Sequence, residues 1–286
     1  MYSKQKELYK MKRKFIVNNS PLPHSVYKFC KIDEHLRKNL LKNQIWFSSS
    51  NEFNDPFDCK IPFKIYEGNT EFQKLVNKLK EWGALNIDIE KEKLNPDDIK
   101  NIVTDSLQGI FESMGIACFS LNEEDKAKDK NLLLWSHYAD SHKGARLKFD
   151  ILDDVLYMFS LDKLMNPILN LRKVDYEIYF PVLNYIRDQL DFQIKLISTK
   201  SEHWDYENEV RILSTKPGPV QFNKEALSEI TFGCNVNETD RNDIIKLLRS
   251  CNYPKTKFMQ AMKCDDKFAL KFEEISEQDI LKICES

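Results

Sequence analysis

The stretch Lys200–Ile212, KSEHWDYENEVRI, sets Glu207, Glu209 and Arg211 at alternate positions. Side chains alternate along a strand, so a strand here puts those three groups on one face and Val210 and Ile212 on the other. A carboxylate so placed can act as a general base or anchor a hydroxyl, and a guanidinium can hold an anion. The competing reading is a solvent-facing ladder of ion pairs, worth little. Lys200, His203 and Trp204 just ahead favour the cleft, because an exposed strand has no physical need for a Trp and a His there.

Two further stretches concentrate polar groups. Asn131–Asp150, NLLLWSHYADSHKGARLKFD, reads as an aromatic-rich loop running into an alternating strand. Its Trp135 fits a core aromatic whose polar tip finds a partner. His137, Tyr138 and His142, ahead of a tight turn at Gly144, either do the same or present an imidazole and a phenol ring to a substrate. His137 and His142 lie five positions apart, which is not helical-neighbour spacing. With no Cys or third His nearby, a structural zinc is not expected, and no metal ligands are assigned. Phe53–Asp58, FNDPFD, offers Asn54, Asp55 and Asp58 beside a rigid Pro. A self-bonded turn explains it, and so does a rim loop that supplies Asp55 or Asp58 to a ligand.

The elements that must position these residues are legible as pattern. SVYKFC (25–30) alternates as a strand carrying Tyr27. Asp33 fits an N-cap for a helix with Leu36, Leu40 and Leu41, and QIWFS (44–48) is strand-like. KIPFKIY (60–66) reads as a strand. Two amphipathic helices follow, one with Phe72, Leu75, Val76, Leu79 and Trp82 on its stripe. The other is capped by Asn95, with Pro96 at its first position. IACFS, ARLKFD, KVDYEIYF, ENEVRIL and EITFG read as strands and LNEEDKAKDKN as a charged loop. Pro181 opens a helix, Asn237 or Thr239 caps another, KFMQAM and FALKFE form a closing pair, and Ser276 caps a last helix. Strands and helices mix without strict alternation. The expectation is a polar arm (1–20) and a single α+β domain (21–286). Its sheet is mixed and mostly antiparallel, with a helical insertion at about 70–114.

Composition excludes several classes. The 286 residues are 42% hydrophobic and 31% charged, which suits a packed core. Net charge is −2, which disfavours a dedicated nucleic-acid binder while leaving a local basic face open. The seven Cys are scattered with no CxxC pair, no apolar leader is visible, and no apolar run reaches membrane-span length. A cytoplasmic protein with no membrane partner is expected. With only seven Gly there is no phosphate-cradling loop.

Taken together, VYKF, FSSSNEFNDPFD, CFSLN…LLLWSHYADSHKGARLKFD, K…HWDYENEVRI and ITFGCNV resemble the bacterial family catalogued as domain of unknown function 2971. The likeness runs from about Val26 to Val236, with Leu134 where that family usually has Met. It implies a stand-alone cytoplasmic protein of the kind found near phage-defence or toxin genes, and it implies no reaction. Three readings follow. In the first, the Glu207-x-Glu209 pair resembles the Glu-x-Glu pattern of ADP-ribosyltransferases, with NAD as substrate and Glu209, Glu207 and His137 catalytic. Tyr27, Asn54, Asp55, Asp58, Trp135, Tyr138, His142, Lys200, Trp204 and Arg211 would then bind ligand. The second is a nuclease or phosphodiesterase with Asp55, Asp58, Glu207 and Glu209 around Mg²⁺. The third is a non-enzymatic module that senses a nucleotide-like molecule or docks a protein partner in a defence system.

Overall fold

The computed structural model describes residues 23–81, 95–121, 131–151, 171–253 and 255–285. The arm at 1–20, Trp82 and most of the charged loop after Leu121 lie outside the described residues. In chain order the first elements are β1 (Ser25–Cys30), α1 (Glu34–Leu41), β2 (Gln44–Phe47), β3 (Phe63–Lys64), α2 (Gly68–Glu81), α3 (Pro96–Glu112) and β4 (Gly115–Ser120). Next come α4 (Asn131–Tyr138), β5 (Ala145–Asp150), β6 (Leu171–Lys173), β7 (Asp175–Glu177), β8 (Leu183–Asn184), α5 (Tyr185–Ser198) and β9 (Thr199–Ser201). The chain closes with β10 (Glu209–Ser214), β11 (Gly218–Gln221), β12 (Leu227–Phe232), α6 (Glu238–Ser250), β13 (Lys257–Lys263), β14 (Leu270–Glu274) and α7 (Glu277–Glu285).

These elements form two compact units. The first is Met1–Phe47, Gly115–Lys173 and His203–Ser286; the second is Ser48–Met114 and Val174–Glu202. The first unit holds an eight-stranded sheet in the order β14-β13-β12-β5-β1-β4-β10-β6. Its pairings are antiparallel except β12 with β13, so the architecture is α+β with a mixed, mostly antiparallel sheet.

Period-2 alternation gives this sheet two chemically different faces. Val26, Phe119, Leu147, Phe149, Val210, Ile212, Ile230 and Phe232 build an apolar core with Leu36 and Leu40 of α1 and Ile244, Ile245 and Leu248 of α6. The opposite face is polar. Strand register aligns Glu229, Lys148, Tyr27, Ser120 and Glu209 in one cross-strand row. The next row contains Thr231, Arg146 and Phe29, and further along the sheet Cys118, Arg211 and Arg172. Asp33 caps α1 by accepting from the Leu36 amide (2.9 Å), and Asn237 caps α6 by accepting from the Asp240 amide (2.7 Å).

The second unit is built from α2, α3, α5 and two short parallel pairs, β3 with β8 and β7 with β9. Phe192 of α5 is its packing centre, meeting the rings of Phe63, Phe111 and Tyr185. Asn95 and Asp98 form a reciprocal capping box at the start of α3, with Pro96 at its first turn.

Four local expectations are corrected. KVDYEIYF (173–180) is not one strand: Lys173 ends β6, and β7 covers only Asp175–Glu177, in a different sheet. Only Phe63–Lys64 of the 60–66 run is a strand, and it pairs with Leu183–Asn184. Pro181 does not open α5. The Asn184 side chain caps it through the Arg187 amide (2.9 Å), so the helix starts at Tyr185 and Val182 stays exposed. Asn131–Tyr138 is helical rather than a loop, because Leu134 and Trp135 bury one side of a turn that the alternation count does not capture.

Candidate functional site

On the polar face of the first unit's sheet, β10 carries Glu209 and Arg211, and both are buried. The Arg211 guanidinium donates from Nε to Glu209 Oε1 (2.8 Å) and from Nη2 to Oε2 (3.4 Å). The solvent-ladder alternative is therefore wrong, since Arg211 is 0% exposed. The pair sits opposite Cys118 and Ser120 on β4. Burial raises the Cys118 thiol pKa well above its ordinary value; the Glu209 carboxylate adds to the rise and Arg211 opposes it.

Glu207 is not on that strand face. It ends a 3-10 turn (Glu202–Glu207), and Asn208 at φ 42° separates it from β10. The turn is pinned to β4: Ser120 Oγ donates to the Glu207 carbonyl (2.7 Å), and the Leu121 amide donates to the Asn208 carbonyl (2.8 Å). A buried carboxylate results, to which the Tyr138 hydroxyl donates at 2.5 Å. The Tyr138 ring in turn lies 6.4 Å from that of His137. His137 lies 6.3 Å from Tyr206, and Tyr206 lies 6.0 Å from Trp204. His137 is exposed, while Trp204 and Tyr206 are half-buried. The WSHY and HWDYENEVR stretches, far apart in sequence, thus share one site.

Trp135 and His142 do something else. Trp135 is fully buried against Phe29, and the His142 ring stacks on it with centroids 6.2 Å apart. His142 Nε2 lies 3.2 Å from Ser136 Oγ. Desolvation, with a smaller push from Lys263, lowers the His142 pKa. Asp140, Ser141 and His142 all take left-handed backbone (φ 47°, 54° and 66°), a conformation L residues rarely adopt in succession. Two glycine backbones hold the turn. A Cβ at Gly144 would run into the Cys30 and Ala139 carbonyls, and one at Gly233 into that of His142. Tyr27 is buried under the Arg146 guanidinium (4.9 Å to the ring centroid), and Phe272 also meets Arg146 (4.8 Å). Arg146 Nη2 donates to Glu229 (3.0 Å) and Thr231 (3.1 Å).

In the second unit, Asp55 Oδ1 accepts from the Phe57 amide (2.9 Å), the self-bonded turn that the Asn-Asp-Pro chemistry allows. Asn54 is exposed. Asp58 is buried with Lys200, carboxylate to ammonium 3.8 Å, and the Cys59 thiol donates to Asp58 Oδ1 at 3.5 Å.

Sequence reasoning missed Ser120, Cys118, Arg146, Glu229 and Tyr206. The first four are joined to the site by strand register, which one sequence does not encode locally. Tyr206 lay within the quoted stretch, but the strand reading gave its ring no role. Among the described residues, no cluster of three or more His, Cys, Asp or Glu is placed to hold a metal ion. No helix among them is long and apolar enough to cross a membrane. Comparison with protein-family models, curated proteins and solved structures finds no match to this chain.

Proposed function

We propose that the chain is an enzyme of the ADP-ribosyl-transfer class acting on NAD, with Glu207 as the carboxylate that works on the ribose. One observation carries this reading: the buried Glu207 carboxylate is held at 2.5 Å by Tyr138, whose ring begins a run of rings through His137 and Tyr206 to Trp204. In such a reaction the bond between ribose C1′ and the nicotinamide nitrogen breaks, and its electron pair leaves with nicotinamide. The ribose carbon becomes cation-like until an acceptor oxygen or nitrogen attacks it and sheds a proton. A preorganised carboxylate in a water-poor setting stabilises that developing charge. The flanking rings offer apolar faces for the nicotinamide or adenine. In this reading the exposed His137 takes the acceptor's proton.

Glu209 takes a different role from the one its strand position suggested. Its two oxygens face Arg211, so it is a positioning residue that fixes the start of β10, just after the turn that carries Glu207. The metal-dependent nuclease has less support, because its carboxylates have other engagements. Asp55 serves its own turn, Asp58 faces Lys200 and Glu209 faces Arg211.

The test is NAD consumption, with transfer to protein or nucleic acid, by the full chain and by Glu207→Gln. The variant is expected to fold and to lose turnover by about 10²–10⁴-fold. Turnover retained in Glu207→Gln removes Glu207 from the reaction. A wild-type chain that consumes no NAD, yet is stabilised by it against heat, is a nucleotide-sensing module instead.

A further inference from the structure

The eight-stranded sheet of the first unit ends at β14, which pairs with β13 on one side only. The register tells which of its backbone groups face outward. The Cys264 amide donates to the Ala269 carbonyl (3.0 Å) and the Ile275 amide to the Phe258 carbonyl (2.8 Å). Antiparallel bonding alternates, so Lys271 and Glu273 turn their N–H and C=O groups to β13. Leu270, Phe272 and Glu274 turn theirs away from the sheet, and among the described residues no strand takes up that outward row. A sheet edge left in this state is a template for another strand. The backbone devices that blunt an edge are missing here: β14 contains no proline, and its pairing with β13 runs without a bulge. Its guard is its side chains, of which Lys271, Phe272, Glu273 and Glu274 are all exposed.

We propose that β14 pairs antiparallel with the β14 of a second copy of this chain, about a two-fold axis at Phe272, so that two sheets join edge to edge. Hydrogen bonding and charge both select that register. Centred on Phe272, it matches outward groups with outward groups: Phe272 faces the same residue of the second copy, and Leu270 of each copy faces Glu274 of the other. It also sets Lys271 of each copy opposite Glu273 of the other, at the non-bonded positions where cross-strand side chains come closest. Moving the axis by one residue, to Lys271 or to Glu273, sets like charges directly against each other, which is unfavourable. The side chains that turn other strands away thus admit this one. The Lys271–Glu273 contact within one strand (3.3 Å) does not use these groups up, because both are about half exposed and a surface pair of that kind is worth little. A contact of this symmetry closes on itself and stops at a dimer. It depends on neither Glu207 nor NAD turnover.

Sedimentation velocity of the full chain over a concentration series tests the proposal. The unaltered chain should pass from monomer to dimer as concentration rises. Lys271→Glu leaves only acidic side chains at positions 271 and 273, and Glu273→Lys only basic ones. Both changes fall on exposed residues, so both variants are expected to fold, which circular dichroism would check. Each variant alone should self-associate about ten-fold more weakly, since both symmetry-related contacts turn repulsive. Mixed in equal amounts, the two variants should dimerise again with each other, because opposite charges then meet at both contacts. Glu274→Pro removes an outward N–H and no bond to β13, so it should weaken the dimer while sparing the sheet. Phe272 is left intact because its ring packs on Arg146 (4.8 Å). A chain that stays monomeric at every concentration overturns the proposal. So does a dimer that Lys271→Glu, Glu273→Lys and Glu274→Pro leave unchanged, or a mixture of the two charge variants that fails to associate.

Discussion

Replacing Arg211 by Met would leave the Glu209 carboxylate buried without the cation that faces it. Arg211 is 0% exposed and the Glu209 side chain 4%, and the two share contacts of 2.8 and 3.4 Å. Water reaches neither group well, so the screening that makes surface pairs worth ~0–1 kcal/mol does not apply. Removing one partner of a buried pair typically costs about 3–5 kcal/mol, because the remaining charge keeps its desolvation penalty. That is a large share of a typical domain stability of ~5–15 kcal/mol. Glu209→Gln should cost less, since the amide oxygen can still accept from Arg211 Nε. Combining Arg211→Met with Glu209→Gln should recover part of the loss, because position 209 then no longer carries a buried charge. Urea unfolding, followed by tryptophan fluorescence to which the fully buried Trp135 contributes, would give all four corners of the double-mutant cycle. A loss under about 1 kcal/mol for Arg211→Met, or strictly additive single and double variants, would refute the buried-pair reasoning.

Other outcomes follow from the same structure. The His142 pKa is lowered by burial and then by Lys263, so the unfolded chain binds that proton more readily. The associated stability is present above the ordinary His pKa of ~6.5 and is lost as pH falls through the folded value. His142→Asn should flatten that part of the stability–pH curve, and an unchanged curve would count against the assignment. Gly144→Ala and Gly233→Ala should each lower the melting temperature sharply, since the added carbon meets backbone carbonyls rather than movable side chains. Near-wild-type melting of both would mean that the Asp140–His142 turn is not held as described. Burial pushes the Cys30 thiol up to about 12 and the Cys118 thiol well above its usual value, whereas Cys284 is exposed. A maleimide at pH 7.5 should therefore label Cys284 in the folded chain and spare Cys30 and Cys118, as peptide mapping would show.

Local chemistry in the sequence determined a good part of this protein. Asp33, Asn95 and Asn237 cap helices where their side chains can reach free amides, an interaction that spans only two or three residues. Val26, Phe119, Leu147 and Val210 fall on one face because strand alternation is a property of each strand alone. Asp55 bonds the amide two residues on, which its own Asx chemistry dictates. Pro181 misled because proline only permits a helix start, while Asn184 pairs with β3 and supplies the cap.

What the tertiary structure alone decided is the use of those groups. Glu207 and Glu209 look equivalent in ENEV. The left-handed Asn208 sends one carboxylate to Tyr138 and leaves the other to Arg211. Ser120, Cys118, Arg146 and Glu229 entered the polar face through pairing between strands dozens of residues apart. Such register is set by which strands share a core, a free energy summed over the whole sheet. No short stretch of this chain contains that sum, so the ingredients of the site were readable in the sequence and their division of roles was not.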